Sequence, residues 1–184
     1  QLQTFPGMPS VAAMKKVRKK TEPGADCDSP WPAALRILTR RDHSQAELRK
    51  KLTDKGFDSE QVHTTLQRCT ELGYLDDARY ARTRATSLMN QGRAVGHRIL
   101  ADLRQRGISE ELAKQALAAA REACDEDTLL ADLMARRFPD FDDNTAPAKE
   151  KRRVVNFLQR RGFAINRILD QLTRKGIATD NEDR

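Results

Sequence analysis

Proline is missing from the middle of this chain. Its seven prolines stand at positions 6, 9, 23, 30, 32, 139 and 147, so residues 33 to 138 contain none and nothing there forces a helix to break. β-Branched side chains are scarce as well: Val and Ile total 12 against 42 Ala and Leu. Apolar and polar residues nowhere alternate for long, and together these absences exclude a sheet protein and predict an all-α chain. No run approaches the roughly 20 apolar residues of a bilayer-spanning helix, which excludes an integral membrane protein of that kind. Aromatics make up 5% of the chain, too few for a base-stacking platform to be the leading expectation.

The absences extend to chemistry. Cys27, Cys69 and Cys124 are odd in number and far apart, with no CxxC pair, so neither a disulfide framework nor a zinc site is indicated. They read as buried or free thiols in a reducing compartment. No Gly-Lys dipeptide and no G-x-G-x-x-G occurs, which removes the phosphate-binding loops. His43, His63 and His97 form no pair at metal-ligand spacing, and no serine sits in a nucleophile elbow. Asp76 and Asp77 could serve as paired carboxylates, but a helix N-cap followed by a first-turn acid explains them better. The expectation is no catalytic residue, no metal, no cofactor and no enzyme. The basic run Lys15-Lys16-Val17-Arg18-Lys19-Lys20 has no apolar stretch behind it, so no export signal is expected and the cytoplasm is the expected compartment.

What is present is a repeat. Gly56, Gly107 and Gly162 lie 51 and 55 residues apart. Four residues before each is Leu52, Leu103 or Leu158, and eight before is Leu48, Ile99 or Val154. A base precedes each glycine directly (Lys55, Arg106, Arg161), and Phe57, Ile108 or Phe163 follows. Six after come Val62, Ala113 and Ile168; ten after, Leu66, Leu117 and Leu172. Such spacing gives two helices a core-facing stripe each, with a left-handed glycine turning the chain between them. Another helix precedes each pair. The expected architecture is three tandem three-helix repeats, at 31–73, 74–122 and 123–178, forming an elongated, curved helical array. A flexible basic arm at 1–30 and a tail at 179–184 flank it. Ser44-Gln45-Ala46-Glu47 reads as a capping box at the start of the second helix.

Charge is distributed unevenly along the repeats. The whole chain carries +7. Residues 31 to 92 hold 11 bases and 8 acids, residues 93 to 123 hold 6 and 4, residues 124 to 146 hold 2 and 7, and residues 147 to 178 hold 9 and 2. Candidate phosphate-facing bases are Arg40, Arg41, Arg49, Lys50 and Lys51 in the first repeat and Arg93 and Arg98 in the second. In the third they are Lys151, Arg152, Arg153, Arg160, Arg161, Arg167, Arg174 and Lys175. Such clusters are either a solvated helix face or a surface for phosphates or an acidic protein. No repeat stands out as a base-reading helix-turn-helix, so among nucleic-acid readings sequence-independent contact, with single- and double-stranded DNA as partners, is the expectation.

One segment carries a family resemblance. Gly73, Tyr74, Leu75, Asp76, Asp77, Ala78, Arg79, Tyr80 and Ala81 are similar to the signature of the RecX regulators of the RecA recombinase. Arg41-Asp42-His43-Ser44 with Glu47, Leu48 and Leu52, then Lys55-Gly56-Phe57, fits the same family, as do Gly92, Gly96, Ile99, Leu103 and Gly107-Ile108. The resemblance covers about residues 31 to 175. It implies binding to the RecA–DNA filament along its groove, with restraint of ATPase, strand exchange and coprotease activity, and hence roles in recombination, DNA repair and the SOS response. It implies no catalytic residue. A monomer is expected. Tyr74 and Tyr80 read as core or turn packing, with direct partner contact as the alternative. Two other readings stay open: a DNA binder acting without RecA, and a pure helical scaffold.

Overall fold

The computed structural model describes residues 29–179, with the side chains of 174–179 outside the description. Cys27, residues 1–28 of the expected arm, residues 180–184 of the tail and the side chains of Arg174 and Lys175 all lie outside the described residues. Among the described residues there are nine helices and no strand. They are α1 (Pro30–Leu38), α2 (Gln45–Thr53), α3 (Ser59–Glu71), α4 (Asp77–Asn90), α5 (His97–Gln105), α6 (Glu110–Ala123), α7 (Glu126–Arg137), α8 (Ala148–Gln159) and α9 (Ile165–Thr179).

The helices begin where a short polar side chain can take up an orphan N–H. Ser29 accepts from Trp31 N, Asp58 from Glu60 N, Asp76 from Arg79 N, Ser109 from Leu112 N and Asp125 from Thr128 N. α5 starts at His97, directly after a glycine. Gly96 has φ +50°, outside the helical range, and the Val95 N–H is already bonded to the Arg161 carbonyl at 2.8 Å.

The three repeat glycines end α2, α5 and α8 in the same way. Gly56, Gly107 and Gly162 have φ of +87°, +76° and +100°. Each donates its N–H three residues back, to Thr53, Arg104 and Gln159. The next residue reaches back five, to Leu52, Leu103 and Leu158. This is the two-bond Schellman closure. The apolar residue after the glycine is thereby folded onto the helix it leaves.

All twelve apolar positions of the repeat stripes are buried, none more than 6% exposed. They fall into two cores. Residues 29–43 with Leu48–Leu75 form one compact unit, whose core includes Ala34, Leu48, Leu52, Val62, Leu66, Cys69 and Leu75. Ser44–Glu47 with residues 76–179 form the other, in which residues from α4 through α9 contribute to a single apolar cluster. The second and third repeats thus share their interior. Cys69 is fully buried, and that burial pushes its thiol up to about 11, which leaves it an unreactive core residue.

The glycines differ in their surroundings. A Cβ on Gly56 would meet open space, whereas one on Gly107 would collide with the Ala46 Cβ and one on Gly162 with the Val95 carbonyl and Arg98. Gly56→Ala should therefore cost only the left-handed strain, about 1–2 kcal/mol. Gly107→Ala and Gly162→Ala should each lose roughly 1–3 kcal/mol more through overpacking. Thermal denaturation of the three single variants checks this; equal losses in all three would contradict it.

Candidate nucleic-acid interface

The start of α2 is held by residues far along the chain, and the family-like signature supplies several of them. Asp76 caps its own helix, but Asp77 does not act merely as a first-turn acid. Its Oδ1 accepts from Gln45 N at 2.9 Å, so the carboxylate caps α2 as well. The Ser44 hydroxyl accepts from Glu47 N, as expected of the capping box, and donates to the Arg106 carbonyl. The Glu47 carboxylate takes the Arg106 guanidinium on one oxygen and the Tyr80 hydroxyl on the other. Arg106 also donates to Asp102, which is bidentate with Arg84 at 3.0 Å for both bonds.

Tyr80 is consequently a buried member of a charged network, 7% exposed, while Tyr74 stands 36% exposed on the other unit. Burial, then the Glu47 carboxylate, raises the Tyr80 hydroxyl pKa. Burial alone would raise Asp102, but its hydrogen bonds to Arg84 and Arg106 outweigh that and hold it below the ordinary carboxylate range. Burial likewise opposes the charge on Arg106, and the Asp102 bond overcomes it, raising the guanidinium further.

A second contact in the same unit uses the same repeat positions with different side chains. Twelve residues before the repeat glycine stand Ser44 and Val95; each donates to the carbonyl of the residue preceding the next repeat's glycine, Arg106 or Arg161. Nine before it stand Glu47 and Arg98. Glu47 meets the Arg106 side chain, whereas Arg98 Nε donates to the Arg160 carbonyl at 2.9 Å. With no carboxylate at that place, Arg161 turns elsewhere. Its guanidinium donates to the Gly92 and Phe157 carbonyls and lies 3.6 Å over the Phe157 ring. Burial, then Arg137 and Arg160, depresses its pKa.

These engagements sort the expected phosphate-facing bases. Arg161 and Arg98 are tied to backbone carbonyls. Arg167 pairs with Asp127 at 2.7 Å and approaches Glu126 at 4.0 Å; Lys151 lies 3.4 Å from Asp143. The acidic segment before α8 thus neutralises part of the basic one. Arg41 donates to the Asp42 carbonyl. Arg40, Arg49, Lys50 and Lys51 in the first unit, and Arg93, Arg152, Arg153 and Arg160 in the second, are exposed and have no carboxylate partner among the described residues. Lys55, Arg82 and Lys149 share that condition and were not among the candidates, because counting bases along the chain does not say which are neutralised. Among the described residues no three His, Cys, Asp or Glu could hold a metal, and no helix is long and apolar enough to cross a membrane.

Comparison with known proteins places this geometry. Residues 33–69, 76–117 and 125–172 match the family models described as the first, second and third three-helix domains of RecX. A regulatory protein RecX from Syntrophotalea carbinolica is 48% identical over 134 residues, covering 73% of this chain and 88% of its own length. One from Trichlorobacter lovleyi is 39% identical over 139 residues, 76% of this chain and 88% of its own. The crystal structure of RecX from Lactobacillus salivarius shares the fold at a TM-score of 0.60 and 21% identity, over 78% of this chain and 94% of that one. A second, of a regulatory protein RecX, does so at 0.64 and 21%, over 78% and 70%.

Two outcomes test the sorting. Asp102→Asn should lower the melting temperature at neutral pH. The depressed carboxyl stabilises the fold fully above its unfolded pKa, roughly 3.9. That contribution is lost as pH falls through the lower folded value, so the gap between variant and parent should close in acid. Arg161→Ala should destabilise by about 1–3 kcal/mol, since it strips the donor from the buried Gly92 carbonyl.

Proposed function

The chain belongs to the RecX family of regulatory proteins, and from that premise we propose that it binds the RecA nucleoprotein filament and inhibits RecA ATPase, strand exchange and coprotease activity. The observation that carries the DNA side of this reading is the set of exposed bases left without carboxylates. Arg40, Arg49, Lys50 and Lys51 serve one unit, and Arg93, Arg152, Arg153 and Arg160 the other. Guanidinium and ammonium groups that no protein carboxylate neutralises are available to phosphates, and their attraction is independent of base sequence.

The mechanism is steric. A helical chain seated in the filament groove, held to the backbone by these bases, occupies the space an incoming duplex needs. It acts as a cytoplasmic monomer and performs no bond chemistry. A DNA binder acting without RecA would use the same bases, and the rates of RecA itself separate the two.

Substoichiometric protein should depress the ATPase and strand-exchange rates of the cognate RecA on single-stranded DNA. Full rates at every ratio, with DNA binding intact, would leave the DNA-only reading standing. The combined Arg152→Glu, Arg153→Glu and Arg160→Glu variant should weaken filament binding. It should also flatten the log–log salt dependence by about 0.7–0.9 for each phosphate that the protein no longer neutralises.

A further inference from the structure

The first unit has a second surface, chemically unlike its basic one. Trp31 on α1 and Tyr74 after α3 approach with ring centroids 6.4 Å apart and planes tilted by 42°. The Arg68 guanidinium lies 4.2 Å over the Trp31 ring. Leu72, 52% exposed, and Tyr74 carry apolar surface into solvent beside them. Next to the rings is a groove of about 400 Å³ lined by Pro30, Trp31, Glu60, Gln61, Thr64 and Arg68. Trp, Tyr and Arg clustered around a concavity are the residue types that dominate protein–protein binding energy.

The charge on this face settles what it can take. Glu60, Thr64, Arg68 and Leu72 recur at intervals of four along one side of α3 and its end, and Glu71 adjoins them. Glu60 and Glu71 are exposed, with no base against their carboxylates among the described residues, while Arg68 is spent on the Trp31 ring. The unit's free bases, Arg40, Arg49, Lys50, Lys51 and Lys55, stand on α2 or in the turns beside it. A polyphosphate would meet two unpaired carboxylates here and is disfavoured. A second copy of the chain would bring like-charged faces together. A protein surface with an apolar centre and lysine or arginine at its edge is complementary in both respects.

Resting on the filament reading above, we propose that the Trp31–Leu72–Tyr74 face docks on the protein component of that filament, a RecA subunit presenting an apolar patch with a basic rim. The α2 bases meet the DNA. The first unit then has a protein side and a nucleic-acid side, and restraint of RecA depends on both.

A photoreactive benzoylphenylalanine at Leu72 of the full chain, irradiated with assembled filaments, should give adducts whose mass-mapped peptides come from RecA. Adducts to DNA alone, to a second copy, or to the chain's own basic run at residues 15–20 would overturn the assignment. So would no adduct at all while filaments still bind the chain. Two variants supply a second readout. Leu72→Glu should weaken filament binding at least tenfold, with DNA binding and melting temperature unchanged. The pair Glu60→Lys and Glu71→Lys should also weaken filament binding; stronger binding would mean that the face meets phosphate. If the unsubstituted chain does not cosediment with filaments, the filament reading itself fails, and this face with it. If it does cosediment and these variants bind as well as the parent, only the assignment of the face falls.

Discussion

A glycine in the left-handed conformation, two or three residues past the last residue of α2, α5 and α8, is the constraint around which the protein is arranged. Only there can the chain reverse within a single turn, return the next apolar residue to the helix it has left and satisfy two terminal carbonyls. The stripes at four and eight residues before the glycine and six and ten after it then face one interior. Two of the three glycines do more. With no side chain, Gly107 admits Ala46 and Gly162 admits the Val95 carbonyl, and at that approach the bonds from the Ser44 hydroxyl and the Val95 N–H become possible. Handedness and close approach are demanded of the same residue.

The signature near residue 76 gains its meaning from that approach. Asp77 caps α2, and Tyr80, on the buried side of α4, joins Glu47, Arg106, Asp102 and Arg84. A network of this kind is costly to leave half-made, because each buried polar group needs its partner. Its residues therefore explain how the second unit is held together. They do not explain what a partner touches.

Availability of charge, more than its amount, defines the proposed interface. The number of bases open to a partner is reduced where Asp143 meets Lys151 and where Asp127 and Glu126 meet Arg167, and again where Arg98 and Arg161 are held by backbone carbonyls. What remains is a smaller set of cations, with an aromatic, mildly acidic face on the first unit suited to a different class of surface.

The helical class, the three repeats and all twelve stripe positions were legible in the order of the residues, because helix periodicity, capping and glycine turns are local physics acting within a dozen residues. That the Val95 N–H goes to the Arg161 carbonyl, more than sixty residues away, while α5 begins only after Gly96, is not written in the local sequence. The candidate bases were half legible: composition located them, but pairing is a matter of distance in space, and Arg161 and Arg152 are indistinguishable as letters. Tertiary structure alone decided that Asp77 serves α2, that Arg161 lies on Phe157, and that Trp31, Arg68 and Tyr74 meet on one surface. Each of these depends on where helices distant in sequence are packed, and no local rule carries that information.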